Sequence, residues 1–142
     1  MRFLLQVVSI LMTLVAMVDG HTINCAGRTI AADALEFRAA ITQLRFIEQN
    51  YILHGKHGET ILPSEGLEPG KCEHLYCSRG TNVRWCNDDP KRHIIMEYVH
   101  FREGAVAVYD TCLTQYKGRD VSGGVISHPD NWSLIVQNWN GC

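Results

Sequence analysis

Imidazole, carboxylate and guanidinium groups are the side chains here that could move a proton or hold an anion. His128 closes the run Gly123-Gly124-Val125-Ile126-Ser127-His128, whose apolar members read as a short strand, so its imidazole stands at a strand end. Glu97 and Glu103 offer a carboxylate pair of the sort that cleaves glycosides, but a strand-to-helix change is expected between them and leaves their separation open. Thiol chemistry is disfavoured, because Cys25, Cys72, Cys77, Cys86, Cys112 and Cys142 form an even set that leaves no cysteine to spare. Zinc is disfavoured as well, since no Cys-x-x-Cys pair occurs. No Gly-x-Ser-x-Gly elbow, phosphate loop or His-Glu-x-x-His motif is present.

Compartment follows from the start of the chain. Arg2 precedes the apolar run Phe3 to Val18, and Val18-Asp19-Gly20 fits a cleavage site, so residues 1–20 read as a signal peptide. Residues 21–142 are then one exported domain with no second stretch of membrane-spanning length. Export makes three disulfides the expected use of the six cysteines, each stabilising by roughly 2–4 kcal/mol. Sequence does not choose among the pairings; a bridge from Cys25 to Cys142, tying the two ends together, is the favoured one. Asn131-Trp132-Ser133 fits the N-glycosylation pattern at an expected turn, which makes Asn131 a candidate glycan site. A formal net charge of −2 argues against a strongly basic nucleic-acid binder. Seven histidines would make the net charge positive in mild acid.

The elements that must position these groups can be read from periodicity. Thr29 is a plausible N-cap, and Ile30, Ala34, Phe37, Ile41, Leu44 and Ile47 follow at steps of three and four, predicting an amphipathic helix to about Asn50. His54 to Lys71 is rich in Gly and Pro and reads as a long connector with a short extended piece at Thr60 to Leu62; His54, His57 and His74 lie in or near it as solvated histidines. Val83 and Trp85 alternate with Arg84 and Cys86 as in a strand, and residues 94–101 read as a second strand after a polar break at Asp88-Asp89-Pro90. From Arg102 the spacing of Ala105, Val108, Tyr109 and Cys112 predicts a helix to about Tyr116, with Cys86 and Cys112 available to pin sheet to helix. Gly123-Gly124 permits a sharp turn, and Ser133 to Trp139 reads as a strand inside the sheet. The expected fold is α+β: a two-layer α/β sandwich, a mainly antiparallel sheet of about four strands with two helices on one face, stabilised by disulfides.

Three resemblances bear on function. Gly123 to His128 resembles the strand that carries the general-acid histidine in the fungal guanyl-specific ribonucleases. That likeness implies a carboxylate base, a histidine acid and a guanidinium for phosphate, roles open to Glu97, His128 and either Arg102 or Arg119. The opening His21-Thr22-Ile23 resembles the start of secreted copper-dependent polysaccharide monooxygenases, and implies copper held by the amino group and imidazole of His21 with a second histidine. The third covers the most chain. Ile-Asn-Cys-Ala-Gly, a helix, a glycine-rich loop, strands with Trp85-Cys86, a helix ending Asp110-Thr111-Cys112, and a last strand running to Cys142 are similar in layout to small secreted cysteine-rich fungal effectors. The necrosis-inducing factor family and the killer toxins built on an α/β sandwich share that layout. This resemblance implies an extracellular monomer without catalysis or cofactor, acting on a host or competitor by surface binding. Loops 54–71 and 117–132 are the expected contact regions.

Overall fold

The computed structural model describes residues 20–54 and 60–142. The expected leader, Gly20 apart, lies outside them, as do Gly55, His57 and Gly58 of the connector. In chain order the elements are β1 (Thr22–Cys25), β2 (Ala32–Asp33), α1 (Ala34–Asn50), β3 (Leu53–His54), β4 (Thr60–Ile61), β5 (Ser64–Leu67) and β6 (Cys72–Ser78). There follow β7 (Thr81–Asn87), β8 (Ile94–Glu97), α2 (Tyr98–Cys112), β9 (Thr114–Tyr116), β10 (Arg119–Ser122), β11 (Gly124–His128) and β12 (Trp132–Asn138). The class is α+β. The expected four strands are corrected to twelve among the described residues, in four antiparallel sheets. The largest has five strands in the order β1-β11-β12-β7-β6, so the last strand is internal, as its apolar run requires.

One face of that sheet carries the core. Ile23, Ile126, Leu134 and Trp85 are successive partners across β1, β11, β12 and β7, and Val136 lies opposite Val83 one row along. The two helices cover these rows and pack on each other, bringing Phe37 within 5.5 Å of Tyr109 and Trp85 within 5.0 Å of Phe101, between ring centroids. At Gly104 α2 faces the sheet directly: a Cβ there would sit 3.5 Å from methyl carbons of Ile126 and Leu134, an ordinary packing contact.

Helix boundaries differ from those the spacing predicts. Asp33, not Thr29, caps α1, its Oδ1 accepting from the N–H groups of Leu35 (2.9 Å) and Glu36 (3.4 Å). Residues 32–33 are drawn into β2 by pairing with β10, and Ile30 is left exposed before the helix. The strand expected over 94–101 stops at Glu97. Tyr98, Phe101, Ala105, Val108 and Cys112 are spaced three and four apart and form the inner stripe of α2, so helical period overrides the β-branched and aromatic composition. That helix ends at Cys112 rather than Tyr116, because Thr114–Tyr116 pairs with β10 through a Lys117-Gly118 turn with φ of 50° and 76°. Arg79-Gly80, with φ of 47° and 78°, closes the β6–β7 hairpin in the same left-handed way, the geometry that suits two-residue hairpin loops.

Gly123-Gly124 serves close approach rather than a turn of positive φ. A Cβ on Gly124 would fall 2.4 Å from the Asn24 carbonyl oxygen, and one on Gly123 would fall 2.7 Å from that of Val136. The break at 88–93 is ordered by Asp89. Its Oδ1 accepts from the N–H groups of Lys91 (2.8 Å) and Arg92 (2.9 Å), and Oδ2 meets Arg92 Nε at 2.6 Å. The Lys91 hydrogen bond first, then the bonds to Arg92, hold its carboxyl down at about 2.

All six cysteines are bridged, as Cys25–Cys112, Cys72–Cys86 and Cys77–Cys142. The expected Cys25–Cys142 bridge is corrected: β1 lies at one edge of the main sheet and β6, which holds Cys77, at the other. Cys112 does pin α2 to the sheet, through Cys25 rather than Cys86. Cys86 instead bonds its cross-strand partner Cys72, with Cα atoms 4.0 Å apart. No helix among the described residues is long and apolar enough to cross a membrane.

Candidate functional site

The residues that sequence offers for phosphodiester chemistry stand beside different neighbours. Arg119 is exposed on β10, 3.8 Å from Asp33, at a depression of about 360 Å³ that Arg38 and Tyr109 also line. Arg102 is held by Glu48 and lies 3.6 Å from Glu103. Glu97 ends β8 and borders a small depression of about 140 Å³ with Glu48, Leu62, Pro63 and Val99. Among the described residues no hydrogen bond or ion pair joins Glu97, Arg119 and His128.

His128 occupies a corner of its own. The pairing of Thr22 with Ser127 carries His21 alongside it, at 4.3 Å between ring centroids, while Trp132 stacks on it at 5.1 Å. Its Nδ1 accepts from the Asp130 N–H at 3.0 Å, which places the neutral ring's proton on Nε2. Burial, then the His21 charge, push its pKa down; Asp130 opposes them and His100 adds to them. A histidine depressed below its ordinary value near 6.5 contributes stability that is complete above that value and is lost as pH falls through it toward the folded value. The midpoint of thermal unfolding should therefore drop as the pH is lowered from about 7.5 to about 5, and drop less in His128→Gln. An equal fall in both proteins would remove His128 as the cause.

The His21–His128 pair is the nearest approach to the copper arrangement. Among the described residues, however, no group of three or more His, Cys, Asp or Glu side chains is set to hold a metal ion. The adjacent turn presents Asn131, exposed and at φ 62°, while Ser133 of the glycosylation pattern is buried in β12. His74 stacks on Trp139 at 5.0 Å, its Nδ1 2.6 Å from Asn82 Nδ2.

A larger concavity than either of these depressions lies elsewhere. It is a groove of about 500 Å³ between the end of α1 and the chain crossing from β4 to β5, floored and walled by Ile47, Tyr51, Ile61, Leu62, Glu65 and Tyr98. α1 projects Ile47 and Tyr51 on one side. On the other, β5 pairs with β8, and the Tyr98 N–H at the start of α2 donates to the Pro63 carbonyl at 2.9 Å, so the groove wall is tied to the helix. Tyr51, Ile61 and Leu62 remain 59%, 47% and 43% exposed, and Phe46 extends the patch, its ring 6.4 Å from Tyr51. The Tyr98 hydroxyl donates to Glu65 at 2.9 Å; burial first, then Glu65, drive its pKa upward, so it stays protonated and acts as a donor. The smaller depression beside Glu97 shares Leu62 and Pro63 with this groove.

Among the described residues, five of the groove's eight lining residues fall in the 54–71 connector, an expected contact region. Ile47 is read from its spacing as part of the buried helix face, and Tyr98 from its neighbours as part of a strand, while Tyr51 lies just past the expected helix end; none is expected at a contact surface, and all three line the groove. Comparisons with protein families, with curated proteins and with solved structures found no match to this chain.

Proposed function

We propose that this chain is an exported, disulfide-bonded binding protein, effector-like or toxin-like, that takes part of a partner protein into the groove beside Leu62. The supporting observation is the exposed cluster of Tyr51, Ile61 and Leu62 around a formed concavity, on a fold whose cysteines are all bridged. Contiguous exposed apolar surface of this sort is costly in water unless a partner covers it. Among the described residues the groove holds one carboxylate and a protonated tyrosine that is already committed to it as a donor, an arrangement that suits binding. Asn131 is proposed as a glycan site on the turn at the far end of β11.

Two experiments test this. Expression of the full sequence in a secreting fungal host should release protein that begins at His21 and has three intact bridges. Fluorescently labelled protein should then bind intact plant or fungal cells saturably, with at least about tenfold loss in the Tyr51→Ser/Leu62→Ser variant. The opposing outcome is equally concrete: cleavage of added RNA that disappears in His128→Ala would replace the binding reading with the ribonuclease one.

A further inference from the structure

Among the described residues the groove's charge is one-sided. Neither it nor the depression beside Glu97 is lined by any Lys, Arg or His among the described residues. Three carboxylates surround the shared Leu62–Pro63 ridge: Glu65 in the groove, and Glu48 and Glu97 in the smaller depression. Their commitments differ. Glu48 is neutralised by Arg102, and Glu65 accepts from the Tyr98 hydroxyl but keeps its charge. Glu97 pairs with Ser64 through the backbone, and among the described residues its carboxylate makes no hydrogen bond or ion pair. Among the described residues, two negative charges without a cationic partner thus flank an exposed apolar floor.

We propose that the occupant is a basic amphipathic segment of a partner protein, with aliphatic side chains seated between Tyr51, Ile61 and Leu62 and Lys or Arg side chains placed over Glu65 and Glu97. The inference rests on the binding reading above and adds the partner's chemistry to it. Complementary charge steers encounter and rejects like-charged competitors. The same carboxylates repel an anionic lipid surface or a nucleic acid, both of which require basic side chains on the protein. An amphipathic segment in a groove of several hundred Å³ is an established recognition geometry, with anchors at helical or alternate spacing.

The test uses the oxidised exported protein and three labelled peptides of about 14 residues, four helical turns: leucine–lysine, leucine–glutamate with the same leucine positions, and serine–lysine with the same lysine positions. Anisotropy titrations should give leucine–lysine at least about tenfold tighter binding than either control. Glu65→Gln/Glu97→Gln should weaken it by about fivefold or more, while glutamine keeps an acceptor for Tyr98. Raising salt from about 50 mM to about 300 mM should weaken it further, since the screening length falls below 10 Å. Leu62→Ser should weaken it too; Leu62 is exposed, and unchanged far-UV dichroism confirms the variant's fold. Leucine–glutamate binding as tight as leucine–lysine, or indifference to the double Gln variant, overturns the basic partner and leaves the groove reading standing provided Leu62→Ser still weakens binding. Binding of all three peptides that ignores Leu62→Ser, or no binding at all, overturns both.

Discussion

Serine in place of both Cys25 and Cys112 is expected to lower the unfolding free energy by about 4–5 kcal/mol, the largest effect of any bridge removal. The bridge spans 87 residues, and the chain entropy released on cutting it grows with the logarithm of that span. Cys77–Cys142 spans 65 residues and Cys72–Cys86 only 14, so the three double variants should rank in that order, the last losing about 3 kcal/mol. Native contacts add to the difference. β1 is four residues long and has one neighbour, β11, whereas Cys72 and Cys86 are already held opposite each other by a seven-residue hairpin. Denaturant midpoints of the three variants measure this; a loss below about 1 kcal/mol for Cys25/Cys112 would contradict the entropic account.

Trp85→Ala is expected to cost about 3–5 kcal/mol. Trp85 is fully buried on β7, an inner strand of the main sheet, opposite Leu134 on β12 and Glu73 on β6, with Phe101 of α2 on its ring. The cavity would open between sheet and helices, where neither layer can close on it without breaking register. Trp85→Phe should lose much less. It keeps most of the apolar volume and removes an indole N–H that is buried without a hydrogen-bond partner among the described residues. Trp139→Ala is the control: it is 41% exposed and its stacking on His74 should be worth under about 1 kcal/mol. Thermal melts of the three separate packing from mere aromatic content; equal losses at 85 and 139 would place the core wrongly.

How far sequence carries depends on what each element buries. Val83, Trp85, Leu134 and Val136 are buried on both sides of a central pairing, so their strands announce themselves by composition and alternation. β6 does not, because only Leu75 of its seven residues is buried, and an edge strand that buries one residue has no period to read. β1 is silent for the same reason. Tyr98 to Phe101 misleads in the other direction, since aromatic and β-branched residues there suit a strand until the next two turns show a helical stripe. The bridges follow from which edges the strands occupy, information absent from cysteine spacing. The groove is legible in part: turn chemistry marks 54–71, but only the fold places Tyr51 and Tyr98 against Ile61 and Leu62. Likewise His21 and His128 meet solely because β1 adds to β11.

The bordering position of β6 has a further consequence. A seven-residue rim strand leaves a row of backbone donors and acceptors that could template stacking into fibrils. Here the register shift between His74 and Tyr76 breaks that row in two, and bridges at Cys72 and Cys77 hold the pieces to β7 and to the chain's last residue. Each remaining piece is shorter than an amyloid-forming segment requires, so the oxidised protein should stay dispersed when concentrated and begin to polymerise only after reduction.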